Sequence, residues 1–339
     1  MGLIESLFPR LPATPRAVDS AALAAALTPR LAIDAIRSWL ESDNSISSQR
    51  VVAPVAAGDL LIMPAESTSY VGVKLVTVAP ANPDGGLDRI QGVYQLFDSA
   101  TLSPVAVFDA AMITAVRTAA VTAVAVDALA ACGPQRLVVF GTSIQAESHV
   151  AALAEVRPLA SVTVVGRRAE AAAALAGRLR RQGVAADWAL TAHPAKAAGR
   201  ADLGERLAEA TLAVTATSAS SPLFDSSQLP ADCLVAAVGS HSPAARELDG
   251  QTLAGARIVV ESRQAAWREY GELVQAAAEG AISRHDIAGD LRECVRDQWG
   301  PAPGRTVFKS AGMAWEDLAV AARAFAATGG QDRPAAQAS

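Results

Sequence analysis

At 339 residues the chain exceeds the usual single domain of roughly 100–200 residues, so two lobes are expected. A hydrophobic fraction of 51%, a charged fraction of 19% and a mean hydropathy of +0.25 exclude a disordered chain. The formal net charge is only −5, no long run of one sign occurs, and a nucleic-acid or anionic-membrane partner is therefore disfavoured against a small molecule.

Cys132, Cys233 and Cys294 are widely spaced and lack a CxxC pair, which fits neither a disulfide framework nor a zinc site. Without a charged start leading into an apolar signal core, the expected location is cytoplasmic. Lysine occurs only at Lys74, Lys196 and Lys309. In so arginine-rich a chain, a lysine inside a motif is a candidate for its titratable amine.

In chain order, a Thr-Pro pair and apolar residues at Leu31, Ile33, Ile36 and Leu40 predict a helix over 28–40. Leu60 to Met63, Tyr70 to Val78, Gly92 to Phe97 and Val105 to Phe108 are short β-rich runs between turn clusters, an antiparallel-leaning sheet. Asp98 and Asp109 follow strand ends and read as turn formers. From Ile113 an Ala-rich helix runs to Ala131 and stops at Cys132-Gly133-Pro134.

Beyond it, the apolar runs Leu137 to Phe140, Val162 to Val165, Leu212 to Ala216, Leu234 to Val238 and Ile258 to Val260 alternate with helical segments, the pattern of a doubly wound parallel sheet. Thr306 to Phe308 reads as a further strand and Trp315 to Ala327 as a closing helix. The expected fold class is α/β: a Rossmann-type doubly wound domain over 121–304, beside an α+β domain over 1–120, completed by 305–339.

Leu137 to Phe140 runs into Gly141-Thr142-Ser143-Ile144-Gln145-Ala146, a small-residue turn between strand and helix. Such a turn lets backbone N–H groups approach a pyrophosphate, with Ser143 in place of the usual second glycine; alone, it also serves as an ordinary strand-to-helix connection. The next strand ends in Gly166-Arg167-Arg168 where an NAD enzyme usually carries an acidic residue. Two guanidiniums there suit a 2′-phosphate, so NADP(H) is the preferred cofactor with NAD(H) possible; alternatively they solvate a helix start. Thr215, Thr217 and Ser218 follow one later strand, and Val238, Gly239 and His241 another, at the strand ends where such folds bind ligands.

Arg50, Lys74 and Arg117 are cations in otherwise apolar or β-rich surroundings, and buried cations need anionic partners. The string Met63-Pro64-Ala65, Gly72-Val73-Lys74, Pro80-Ala81-Asn82, Gly85-Gly86, Phe97-Asp98 and Ile113 to Ala120 resembles the ornithine cyclodeaminase/mu-crystallin family. So do Gly141 to His149, Arg246-Glu247-Leu248-Asp249, Val259 to Ser262 and Phe308 to Gly312; the likeness spans roughly 28 to 325. It implies that Arg50, Lys74 and Arg117 hold a substrate α-carboxylate, that Ser310 lies near the nicotinamide, and that the chain is a homodimer joined through its first-lobe sheet. Salt bridging between sheet and helix is the alternative for the arginines, and a solvated strand face for Lys74.

Cyclodeaminases of the family carry an aspartate before a proline after the fifth parallel strand. Here the stretch is Gly239-Ser240-His241-Ser242-Pro243, and a neutral imidazole lacks that standing charge. His241 or Lys74 is expected instead to give a proton to an imine nitrogen. The resulting expectation is a reductase of small α-imino acids such as Δ1-pyrroline-2-carboxylate or Δ1-piperideine-2-carboxylate. Ornithine cyclodeaminase, an amino-acid dehydrogenase and a mu-crystallin-like binding protein are the alternatives. His149, His193 and His285 show no ligand-like clustering, and no metal is expected.

Overall fold

The computed structural model describes residues 14–46, 50–191 and 201–330; His193 and Lys196 lie outside them. The chain divides into two compact units.

The first unit comprises residues 1–28, 47–114 and 313–339. Its six-stranded sheet contains β1 (Arg16–Ala17), β2 (Val51–Val55), β3 (Gly58–Glu66), β4 (Tyr70–Val78), β5 (Ile90–Asp98) and β6 (Pro104–Asp109), in the order β1-β6-β5-β4-β3-β2. All neighbours are antiparallel except β1 and β6. Alternation along β4 sends Tyr70, Gly72, Lys74 and Val76 to the buried face, where the helix Ala314–Ala327 packs over β3, β4 and β5. Tyr70 and Phe325 meet edge to face with ring centroids 6.1 Å apart. The opposite face is apolar yet partly open: Val51, Ile62, Leu75 and Val93 form one cross-strand row, with Val51 50% and Val93 43% exposed.

The second unit, residues 29–46 and 115–312, is built on an eight-stranded, wholly parallel sheet. Its strands are β7 (Gln135–Phe140), β8 (Leu159–Gly166), β9 (Ala186–Leu190), β10 (Leu212–Thr215), β11 (Leu234–Ala237), β12 (Arg257–Val260), β13 (Ile287–Asp290) and β14 (Thr306–Lys309). They lie in the order β13-β12-β14-β11-β10-β7-β8-β9. The order reverses between β7 and β10, a topological switch point where doubly wound sheets bind their ligands.

Two expected boundaries are corrected. The helix Pro29–Glu41 belongs with the second unit: it buries Ile33, Ile36 and Leu40 and contacts the helices Ile144–Ala154 and Leu291–Arg296. The second unit also runs on to Gly312 and does not end at 304, because β14 is inserted between β11 and β12 and buried along its length. Such a strand has no alternation to betray its place. Among the described residues, Ala110–Leu129 is the one helix long and apolar enough to cross a membrane; 67% of its most apolar stretch is buried inside the protein, and Arg117 and Asp127 interrupt it, as suits a core helix.

Candidate active site

In the first unit, the register places Arg50, one residue ahead of β2, level with Met63, which pairs with Lys74, which pairs with Tyr94. Arg50 and Lys74 thus stand two strands, or roughly 10 Å, apart along one row of the sheet. Arg50 is half-buried. Lys74 is 3% exposed, so the solvated-face alternative fails. Its Nζ lies 2.7 Å from Asp317 Oδ2 on the helix Ala314–Ala327 and 3.4 Å from Thr114 Oγ1. Asp317 is fully buried, a position an anion occupies only with a paired charge or strong donors. Tyr94 fills the space beside this pair: a Cβ on Gly72 would stand 2.0 Å from its hydroxyl. Burial first, and then the nearby Asp317 charge, hold the Tyr94 hydroxyl well above the usual phenol range, and therefore protonated. Asp98 and Asp109 bind the backbone N–H groups of Thr101 and Met112, as turn and helix-start residues do.

Arg117 belongs to the second unit, where it is 5% exposed. Its guanidinium lies against Gly312: a Cβ there would be 2.4 Å from Nη1, 2.6 Å from Nη2 and 2.9 Å from Cζ. Gly312 also has φ +83°, so only glycine suits both the backbone and the space. Glu261 anchors the same turn, accepting the N–H groups of Ala311 at 3.1 Å and Gly312 at 2.9 Å. Two buried polar atoms beside it, Ser310 Oγ and Glu261 Oε1, make no hydrogen bond among the described residues. Buried polar groups are normally satisfied, and such atoms fit a site completed by a ligand.

The turn after β7 has the features of a phosphate cradle. Gly141 adopts φ +126°, and a Cβ there would meet Ala216 O at 2.6 Å. Thr142 is half-buried, and Ser143 is exposed at the N-cap of Ile144–Ala154 with its hydroxyl free of any capping bond. Ile144 is 62% exposed, leaving the first turn of this helix open for its N–H groups to receive an anion. The Gln145 Oε1 is buried without a hydrogen bond among the described residues. At the end of β8, Arg167 and Arg168 are both exposed.

Thr215, Thr217, Ser218, Val238 and Gly239 gather at the ends of β10 and β11, and His241 is exposed two residues beyond Gly239. Beneath them lies a carboxylate whose role sequence reasoning missed: Glu247, fully buried, binds Thr215, Thr217 and Gly239. Only its place in an Arg-Glu-Leu-Asp string signalled it. Lys309, singled out by rarity, is fully buried and paired with Glu272 at 3.2 Å. His149 is a core residue: its ring meets Gln145 O at 2.7 Å and Thr122 Oγ1 at 3.1 Å. Burial lowers its pKa from 6.5 to about 4. Among the described residues no cluster of three or more His, Cys, Asp or Glu is placed to hold a metal.

A profile of the ornithine cyclodeaminase/mu-crystallin family matches residues 17–327. The chain belongs to that family. Within the ornithine cyclodeaminase/mu-crystallin family it is 33% identical over 292 residues to Δ1-pyrroline-2-carboxylate reductase of Bacillus cereus, covering 81% of this chain and 86% of that protein. It is 32% identical over 279 residues to the Δ1-pyrroline-2-carboxylate/Δ1-piperideine-2-carboxylate reductase of Azospirillum brasilense, covering 81% and 82%. Among solved structures, Δ1-pyrroline-2-carboxylate reductase of Thermococcus litoralis, in complex with NADH and L-proline, superposes with a TM-score of 0.81 at 25% identity, over 92% of this chain and 96% of that one. The α/β fold with a parallel, Rossmann-type sheet is thus common to this chain and its relatives.

Proposed function

We propose that this protein is an NAD(P)H-dependent imine reductase that converts a small cyclic α-imino acid, Δ1-pyrroline-2-carboxylate or its six-membered counterpart, into the amino acid. The observation that carries the reading is the loop after β11, where His241 stands in place of the aspartate a cyclodeaminase uses on its distal ammonium. Reduction needs no such carboxylate: it needs a grip on the α-carboxylate and one proton for nitrogen.

The cofactor, when bound, supplies a hydride to the imine carbon and leaves oxidised. Arg50, Lys74 and Arg117 bind the carboxylate, which fixes the neighbouring carbon for attack; orientation of this kind lowers a barrier by several kcal/mol, on the order of 7–11 at best. A proton from Lys74 or His241 reaches the nitrogen as the C=N bond becomes a C–N bond. Gly141 to Gln145 would hold the pyrophosphate, and Ser310 would serve the nicotinamide end. Arg167 and Arg168, exposed at the end of β8, favour NADPH by pairing with its 2′-phosphate. The half-open row Val51, Ile62, Leu75 and Val93 supports a homodimer through the first unit's sheet, apolar surface of this extent being what an interface covers; an archaeal alanine dehydrogenase relative with bound NAD is a dimer.

The test is NADPH oxidation by purified protein with Δ1-pyrroline-2-carboxylate and Δ1-piperideine-2-carboxylate, set beside ornithine with NAD+ and pyruvate with ammonia. Proline or pipecolate formed from the cyclic imines supports the reading. Proline and ammonia released from ornithine without added reductant refute it.

A further inference from the structure

The ends of β10 and β11 are joined by a buried carboxylate that their strand pairing does not require. Ladder bonds unite the two strands from Leu212 to Thr215 and from Leu234 to Ala237, and the Val238 N–H still donates to Thr215 O at 2.9 Å; the loops lead on from there. There Glu247, 0% exposed, takes over. Its Oε1 accepts the Thr217 N–H at 2.8 Å and the Thr217 hydroxyl at 2.6 Å. Its Oε2 accepts the Thr215 hydroxyl at 2.8 Å and the Gly239 N–H at 2.7 Å. Four donors on two oxygens fill a carboxylate's capacity, and they come from both loops.

The joint is tight. A Cβ on Gly239 would stand 2.1 Å from Thr217 O and 2.6 Å from Glu247 Oε1, so the loops close around the carboxylate only because residue 239 lacks a side chain. Glu247 is itself fixed at its backbone, donating its N–H to Glu272 Oε1 at 3.0 Å. The other Glu272 oxygen accepts the Ser240 hydroxyl at 2.6 Å, and Lys309 at the end of β14 donates to Ser240 O at 2.7 Å. One network thus ties the ends of β10, β11 and β14. An anion kept out of water is unfavourable unless fully bonded, so a carboxylate placed under three strand ends serves their geometry more than the core's stability.

We propose that Glu247 is a positioning residue for dinucleotide binding: it holds Thr215 to Ser218 and Val238 to Ser240 in the shape that receives the cofactor, without touching it. The inference rests on the reading of these strand ends as the dinucleotide site. An amide at this position has one acceptor oxygen and an NH2 that faces two donors, so Glu247→Gln unties one loop from the other. Glu247→Asp keeps the charge but withdraws it by one methylene, too short to reach both loops.

The experiment is titration of NADPH fluorescence against wild type and both variants, with folding of the ligand-free proteins checked by circular dichroism, followed by steady-state kinetics. The expected result is a Kd and a KM for NADPH raised tenfold or more, while kcat at saturating cofactor and the KM for the imine stay within about threefold. Where Glu247→Gln does not fold, Glu247→Asp decides. Folded variants that bind NADPH as tightly as wild type overturn the inference alone. A wild-type protein that binds neither NADPH nor NADH overturns the dinucleotide reading and the inference with it.

Discussion

Replacing Asp317 by asparagine removes the charge opposite Lys74 while keeping the size of the side chain. At 2.7 Å, with side-chain exposures of 4% and 0%, the attraction of two unit charges is about 6 kcal/mol at an effective dielectric of about 20. Desolvation of both ions offsets most of it, so the intact pair contributes little net stability. Breaking one side is different, because the buried ammonium loses the carboxylate 2.7 Å away, at a cost of about 3–5 kcal/mol. Asparagine still offers a carbonyl oxygen to Nζ, which places the expected loss near 3 kcal/mol. At about 2–4 °C per kcal/mol for a unit of this size, the calorimetric transition falls by roughly 6–12 °C. The double variant Lys74→Met with Asp317→Leu removes both charges and fills the volume, and is expected to recover most of that stability while losing activity. A transition within about 1 °C of wild type for Asp317→Asn, or a double variant as unstable as the single one, refutes the reasoning.

His149 sets an acid limit on stability. Its pKa is about 4 in the fold against 6.5 free; between those values the unfolded chain takes up a proton that the native one refuses, so stability falls as pH drops through this window and is fully present above it. The contribution is about 3 kcal/mol, and urea denaturation from pH 7 to 4 of wild type and His149→Gln should show a shallower slope in the variant. Serine at both Arg167 and Arg168 is expected to raise the KM for NADPH roughly tenfold to a hundredfold, the loss of one charge-assisted hydrogen bond or more, and to leave NADH kinetics nearly unchanged. Burial pushes the thiols of Cys233 and Cys294 up to about 12, whereas Cys132 is exposed; Ellman's reagent should titrate one thiol in the native protein and three after denaturation.

Periodicity made the first-unit sheet readable because β4 and β5 alternate buried and open residues. The edge strand β2 escaped notice, since Val51, Val52 and Val55 are exposed alike and Pro54 interrupts it. The short parallel strands β9 and β13 offered neither alternation nor a β-branched run. In the site, Arg50, Lys74 and Arg117 stood out as cations in apolar segments. The buried carboxylates did not: Asp317 is 243 residues from its partner Lys74, and Glu247 is separated by 32 residues from its partner Thr215. A carboxylate on an Ala-rich helix, or in a loop, looks like ordinary solvated charge until the fold brings its donors to it.

A crystal structure with oxidised cofactor and L-proline would decide whether the carboxylate grip exists. The product carboxylate is predicted to lie about 3 Å from the side-chain nitrogens of Arg50, Lys74 and Arg117, with its α-carbon facing the nicotinamide. Proline held elsewhere, with the guanidinium tips of Arg50 and Arg117 turned away from it, would contradict the mechanism.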